Sequence, residues 1–102
     1  MGHEWYKVQE SAMAIEMDIE INGKHGLHVR PCASLVKICN SDPEVKVKIK
    51  NTSDNSPYVD GKSMMQVSTL RASYGQTLHF LIDGNNATQM AERIAEFLSR
   101  LD

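Results

Sequence analysis

The segment GLHVRP at residues 26–31 brings together a titratable nucleophile, a fixed cation and a proline that can start a helix, namely His28, Arg30 and Pro31. An imidazole is substantially unprotonated near pH 7 and can therefore act as a nucleophile. An arginine adds a permanent charge and a fork of N–H donors, and charge-assisted hydrogen bonds contribute about 1.5–3 kcal/mol each. The pair predicts that His28 accepts a phosphoryl group and releases it again, with Arg30 neutralising the transferred charge.

The proline indicates that a helix begins just after His28, because the N–H that proline lacks would have no intrahelical partner in a first turn. Apolar residues at helical spacing follow, so the sequence predicts a helix from about Val29 to Cys39. The free N–H groups and the dipole of a helix start favour an anion by about 0.3–1 kcal/mol. We therefore expect the helix start at Val29 and Arg30 to position the phosphoryl group.

Two segments of the chain resemble the HPr family, the histidine-containing phosphocarriers of the bacterial sugar phosphotransferase system. GLHVRP at 26–31 is similar to the active-site signature of that family, and GKSMMQV at 61–67 resembles the segment around its regulatory serine. Taken alone, the first segment has a simpler interpretation, in which His28 caps a helix and Arg30 is a solvated charge. The two segments in order, in a chain of this length, favour the family.

The resemblance implies that His28 receives a phosphoryl group from phosphorylated enzyme I and passes it to enzyme IIA or IIB components. The sequence has no magnesium site or nucleotide-binding glycine loop, so we expect no cofactor and no self-phosphorylation from ATP, and we expect a monomeric carrier. The resemblance also implies that Ser63 is phosphorylated by an HPr kinase in some bacteria, and that Met64 and Met65 belong to the partner-docking surface, with Met65 the more exposed. Two alternatives stay open: a regulatory module that acts through phospho-Ser63 on a transcriptional regulator or kinase, and a phosphorelay in nitrogen or stress regulation.

The residues around Ser63 also allow a purely structural interpretation. The hydroxyl precedes an apolar pattern of helical spacing, so it is expected to cap a helix, with a contribution of about 1 kcal/mol. Capping and phosphorylation are compatible, since a phosphate is stabilised at a helix start. Met64 and Met65 are equally consistent with a core position or with an adaptable docking surface.

Composition bounds the remaining possibilities. A length of 102 residues fits one domain. Residues 13–102 are expected to form the HPr-like domain. Residues 1–12 are expected to be a flexible extension or a docking strip, with a helical tail as the alternative. A net charge of −2 gives no basic field for nucleic acid. No apolar run approaches the roughly 18 residues that span a bilayer, and Glu4 and Glu10 stand where a signal peptide needs apolar residues. These features predict a cytoplasmic protein with no membrane insertion.

The thiols and the second histidine near the site predict neither a disulfide nor a metal centre. Cys32 and Cys39 lie seven residues apart on the predicted helix, so their Cα atoms should be about 10.5 Å apart, beyond the reach of a disulfide. They are expected to be free, buried thiols. His25 forms an HxxH pair with His28, but no third ligand stands nearby, so we expect no metal.

The rest of the chain alternates between strand-like and helix-like patterns and predicts an α+β fold, an open-faced sandwich. Its four-stranded antiparallel sheet is expected to be covered on one face by three helices. The lysines of the second strand are expected to pair across the sheet with the acidic face of the first. The last helix is expected to begin at a capping box of Asn86 and Gln89 and to end near Leu101. The predicted strands are Ile15–Asn22, Val45–Lys50, Tyr58–Lys62 (an edge strand) and Leu78–Asp83.

Overall fold

Alternating apolar and polar residues build one antiparallel sheet in this protein. The computed structural model describes residues 7–11, as backbone alone, and residues 14–101. In chain order the elements are β1 (Lys7–Ser11), β2 (Ala14–Glu20), α1 (Val29–Cys39), β3 (Lys46–Asn51), β4 (Val59–Asp60), α2 (Met64–Ser68), β5 (Thr77–Asp83) and α3 (Ala87–Leu98). The five strands pair in the order β1-β2-β5-β3-β4.

One face of the sheet is buried under the helices, and the other faces solvent. In β2, Ile15, Met17 and Ile19 are buried while Glu16 and Asp18 are exposed, as the period of two requires. The helices α1 and α3 turn their apolar sides onto the same core. Its largest fully buried side chains include Phe80, Met17, Ile21, Leu35, Ile49, Leu70, Leu78, Ile82, Ile94 and Leu98.

The architecture confirms the open-faced sandwich. The four predicted strands are β2, β5, β3 and β4, and α1 spans Val29–Cys39 as predicted. The edge position of β4 is confirmed, but its regular pairing covers only Val59–Asp60, which is shorter than the predicted 58–62. The helix α3 ends at Leu98, before the predicted Leu101.

A fifth strand, β1, extends the sheet beyond β2, although the sequence did not predict a strand there. Lys7–Ser11 pairs in antiparallel register with β2, so that Val8 lies opposite Met17. The segment has a single apolar residue, so it lacks the alternation that marks the other strands. The rest of the predicted extension, residues 1–6 and 12, lies outside the described residues, and the division at residue 12 stays a prediction.

The predicted pairing of the lysine face with the acidic face of the first strand is wrong. The strand β5 lies between β2 and β3, so the two charged faces are not neighbours. His79 of β5 occupies the gap: its Nδ1 lies 2.7 Å from Oδ1 of Asp18 and its Nε2 lies 3.1 Å from Oε1 of Glu16. On its other side, Lys50 lies opposite His79 and places its Nζ 4.7 Å from the centre of the Tyr58 ring.

The predicted capping box at the start of α3 is also wrong. Asn86 makes no side-chain cap hydrogen bond; its amide donates instead to Oδ2 of Asp42, at 2.8 Å. The backbone of Asn86 has φ −105° and ψ 29°, which is not the extended conformation of a capping residue, and the charged acceptor Asp42 holds its amide group. This bond, together with one from the backbone N–H of Glu44, lowers the pKa of Asp42.

Among the described residues, Asn51 is the only polar residue that is buried. Its side chain fixes the connection between α2 and β5. Its amide donates to the carbonyl oxygen of Leu70 at 3.1 Å and to Oε1 of Gln76 at 3.0 Å, and its Oδ1 accepts from the N–H of Ser53. A buried amide whose donors and acceptor are all used specifies one backbone arrangement. The residues that follow Leu70 are therefore held in place from β3.

The cysteines confirm the prediction of free, buried thiols. Burial raises the pKa of Cys32. For Cys39, burial is again the largest cause and raises the pKa to about 12, with Lys62 lowering it and Asp60 raising it. Both groups are therefore neutral thiols in the folded chain at physiological pH.

The raised pKa of Cys39 predicts that the protein loses stability as the pH rises above about 8.5, where an unfolded cysteine ionises. The unfolded state then binds fewer protons than the folded state, so the free energy of unfolding should fall by up to about 1.4 kcal/mol per pH unit from this one group. Denaturant unfolding between pH 8 and 10 measures the slope. In Cys39→Val, the free energy of unfolding should fall less steeply with pH over the same range. An equal slope in the two proteins would show that Cys39 is not the group responsible.

Candidate functional site

His28 is the N-cap of α1, and its side chain is exposed. Its backbone is extended, with φ −80° and ψ −170°, and its carbonyl oxygen accepts the first helical hydrogen bond from the N–H of Cys32 at 2.9 Å. The imidazole makes no cap hydrogen bond. It meets the ring of His25 edge to face, with 6.1 Å between the ring centres. The ring nitrogens are thus available to a group approaching from solvent.

The first turn of α1 offers backbone donors next to this ring. The N–H groups of Val29 and Arg30 precede the first helical bond and have no intrahelical acceptor, and Pro31 has no N–H. No acidic residue stands in this turn to occupy them. Together with the helix dipole, they favour an oxyanion beside His28.

His28 and Arg30 both line an open cavity of about 590 Å³. The cavity also contains Arg100, which the sequence analysis missed. Arg100 lies just after α3 and its Nη2 contacts Oε2 of Glu96 at 2.7 Å, with both side chains exposed. A residue 70 positions away from Arg30 reaches the site only through the packing of α3, which no local pattern reports.

The loop before His28 is fixed by two backbone hydrogen bonds. The N–H of Gly26 donates to the carbonyl oxygen of Gly23 at 2.9 Å, and the N–H of Leu27 donates to that of Ala72 at 2.8 Å. Gly26 has φ +68°, and a Cβ built on it would lie 2.7 Å from the oxygen of Ala72. The backbone of the loop therefore lies directly against residues 72 and 73, and only glycine fits there without strain.

Ser63, Met64 and Met65 lie at the start of α2. Ser63 is the N-cap of α2, and its Oγ accepts from the N–H of Gln66 at 3.2 Å, which confirms the capping prediction. Met65 is 80% exposed, while Met64 packs against the core, so Met65 is the more exposed of the two as predicted. Among the described residues, no group of three or more His, Cys, Asp or Glu side chains has the arrangement of a metal site.

The fold and the site define a class of protein: a small open-faced sandwich with a solvent-exposed histidine at a helix start. None of the helices in residues 14–101 combines the length and hydrophobicity needed to cross a bilayer.

Comparison with known proteins identifies the family. Residues 15–100 match the family model described as the PTS HPr component phosphorylation site. The chain is 30% identical over 83 residues to the phosphocarrier protein HPr of Pseudomonas aeruginosa, covering 81% of this chain and 89% of that protein. It is 32% identical over 79 residues to a multiphosphoryl transfer protein of Haemophilus influenzae, covering 78% of this chain. This chain spans only 16% of the length of that second relative.

The structure agrees with this match. The crystal structure of a phosphocarrier protein HPr from Bacillus anthracis superposes with a TM-score of 0.75, at 23% identity, and covers 85% of this chain and 98% of that one. The chain therefore belongs to the HPr family of the phosphotransferase system.

Proposed function

We propose that this chain is a phosphocarrier of a sugar phosphotransferase system, which accepts a phosphoryl group on His28 from phosphorylated enzyme I and passes it to enzyme IIA or IIB components. The observation that carries the proposal is the exposed imidazole of His28, free of cap hydrogen bonds at the start of α1 and sharing an open cavity with Arg30. In each transfer, the phosphorus–nitrogen bond to the donor breaks as a bond to a ring nitrogen of His28 forms. The next partner then takes the group by the same exchange.

The site residues have separate roles in this transfer. The transition state for phosphoryl transfer is loose and in line, so it needs positioning and charge neutralisation more than covalent help. The guanidinium of Arg30 neutralises the phosphoryl oxygens, and the N–H groups of Val29 and Arg30 orient them. The exposure of His28 lets donor and acceptor proteins approach the same ring.

The surface near the site suits brief docking. Met65, Val29 and Tyr74 are exposed large side chains, and a thioether adapts to differently shaped partners. We propose that Met64 and Met65 lie in the partner-docking surface and that each interface buries less than about 1,200 Å², since a carrier must release its partners quickly. The free thiols support a reducing cytoplasm as the place where this monomeric carrier works.

The direct test is incubation of the whole chain with phosphoenolpyruvate and catalytic enzyme I. The expected product carries one phosphoryl group, stable in alkali and lost in acid, as a phosphohistidine is. Mapping under alkaline conditions should assign it to His28. A chain that stays unlabelled with an enzyme I that phosphorylates other carriers would refute the proposal.

Ser63 is proposed as a regulatory phosphorylation site. Its Oγ is the N-cap acceptor of α2, so a phosphate there would keep acceptor oxygens at the helix start while placing a dianion beside the exposed Met65. A dianion on the docking surface repels acidic partners. Phosphorylation by a dedicated kinase would therefore slow the carrier, and the modified form could be read by a transcriptional regulator.

Substituting Ser63 separates capping from charge. Ser63→Ala should lower the free energy of unfolding by about 1 kcal/mol, through loss of the cap, and leave the rate of transfer from enzyme I nearly unchanged. Ser63→Asp keeps a capping oxygen but adds a charge, so it should retain stability and transfer more slowly. Equal transfer rates in the two variants would remove Ser63 from a regulatory role, whatever their stabilities.

A further inference from the structure

A second open cavity adjoins His28, and its cationic side chains have no role in the function proposed above. It encloses about 470 Å³, and of the described residues it shares only His28 with the cavity that contains Arg30. Lys24, His25 and Arg71 line it, and no Asp or Glu from the described residues does. In a chain whose net charge is −2, this is a local concentration of cationic and imidazole groups rather than part of a general basic surface.

The backbone of Arg71 is in a conformation that an arginine rarely adopts. Its φ is +48°, in the left-handed region, where the Cβ of any residue but glycine is crowded. Strained residues of this kind persist only where the surrounding structure determines them, and they cluster at functional sites. The residues on either side of Arg71 must therefore hold its backbone in this conformation.

Both neighbours of Arg71 in the chain are buried and held by hydrogen bonds. Leu70 is buried and its carbonyl oxygen accepts from the Asn51 amide, while Ala72 is buried and its carbonyl oxygen accepts from the N–H of Leu27. With residues 70 and 72 directed into the core, the side chain at 71 is exposed and lies in the cavity beside His28. The fold thus holds this guanidinium next to the proposed phosphoryl acceptor.

The cationic side chains of this cavity have no partners among the described residues. The guanidinium of Arg71 and the ammonium of Lys24 make no hydrogen bond or ion pair there, in contrast to Arg100, which contacts Glu96. Within the described part of the chain, the ring of His25 contacts only the ring of His28. Three side chains with free N–H donors thus face one cavity: a forked guanidinium, an ammonium and an imidazole. They match the several oxygens of a tetrahedral phosphate better than the two oxygens of a carboxylate.

We propose that Lys24, His25 and Arg71 form a second phosphate-binding site beside His28, separate from the helix-start site at Arg30. Its ligand is a tetrahedral phosphate group, which has two sources: the phosphoryl group carried on His28, or a free phosphate ion. Only the first source rests on the proposed function. Arg71 acts in either case as a positioning residue for the oxygens.

Titration with inorganic phosphate tests the site itself. In the unphosphorylated chain, at ionic strength held constant with chloride, backbone amide signals of residues 24–25 and 71–73 should shift in a saturable way. Arg71→Gly should weaken this binding by about fivefold, the loss of one exposed charge contact. Glycine adopts the left-handed conformation freely, so the thermal midpoint of this variant should equal or exceed that of the wild type.

Lys37→Ala is the matched control, because it removes one positive charge from the last turn of α1, outside both cavities. It should leave the phosphate affinity unchanged. An absence of saturable shifts at these residues, or equal affinities for the wild type and Arg71→Gly, would overturn the inference. Neither result depends on whether enzyme I phosphorylates the chain.

A competition experiment distinguishes the two sources of phosphate. The wild type and Arg71→Gly are mixed in equal amounts with limiting phosphoenolpyruvate and catalytic enzyme I, and the phosphoryl group is allowed to equilibrate. A distribution that favours the wild type by about threefold or more supports the phosphoryl group on His28 as the ligand. An even distribution, with phosphate binding intact in the titration, supports a free phosphate ion. Labelling of neither protein would refute the proposed function and leave the titration to decide this site.

Discussion

Replacing His28 with alanine is expected to abolish labelling of the chain by phosphoenolpyruvate and enzyme I, a loss of at least about a thousandfold in rate. Among the described residues, no other side chain that lines the cavity with Arg30 is an imidazole, so alanine at position 28 leaves no group there to accept the phosphoryl group. Stability should change by no more than about 0.5 kcal/mol, because the ring is exposed and makes no cap hydrogen bond. The label per chain, measured in alkali, and denaturant unfolding check the two parts.

His79→Gln provides the matched histidine control. His79 lies on the solvent face of the sheet, held by Asp18 and Glu16, and lines neither cavity beside His28. This variant should be labelled at the wild-type rate even if its stability falls. Label that persists in His28→Ala, or that disappears in His79→Gln, would show that the phosphoryl group is carried elsewhere.

The features that the sequence predicted correctly are those that short stretches of chain determine. The bounds of α1 follow from Pro31 and an apolar pattern within the helix itself. The alternation in β2 has a period of two because a single face is buried, and Ser63 caps a helix that starts one residue later. Each of these depends on neighbours within about four positions, so the sequence contains the necessary information.

The features that the sequence missed depend on which elements become neighbours in space. The lysines of β3 were expected to meet the acidic face of β2, but the order of strands inserts β5 and His79 between them. Arg100 and Arg71 reach the surroundings of His28 from two different parts of the chain, through the packing of α3 and the pinned connection after α2. Neither has a local signature, since a solvated arginine and one beside a cavity look alike in sequence.

The second large effect is expected at Gly26, where alanine should destabilise the protein by about 2–3 kcal/mol and slow transfer to His28. Its φ of +68° disfavours any Cβ, and a Cβ there would lie 2.7 Å from the oxygen of Ala72 and 3.1 Å from the Cα of Ser73. Relief requires the loop to move away from residues 72 and 73, which breaks the hydrogen bond between Leu27 and Ala72. Denaturant unfolding and single-turnover transfer from enzyme I measure both losses.

Gly75→Ala separates the backbone strain from the clash. Gly75 also has a positive φ, +86°, but a Cβ there would have no neighbour within 4 Å, so this variant should lose only about 1 kcal/mol and transfer normally. The further loss in Gly26→Ala then measures the close contact between the loop of His28 and the segment of Arg71. If the two variants lost equal stability and kept equal transfer rates, the close contact at Gly26 would not be what positions the histidine.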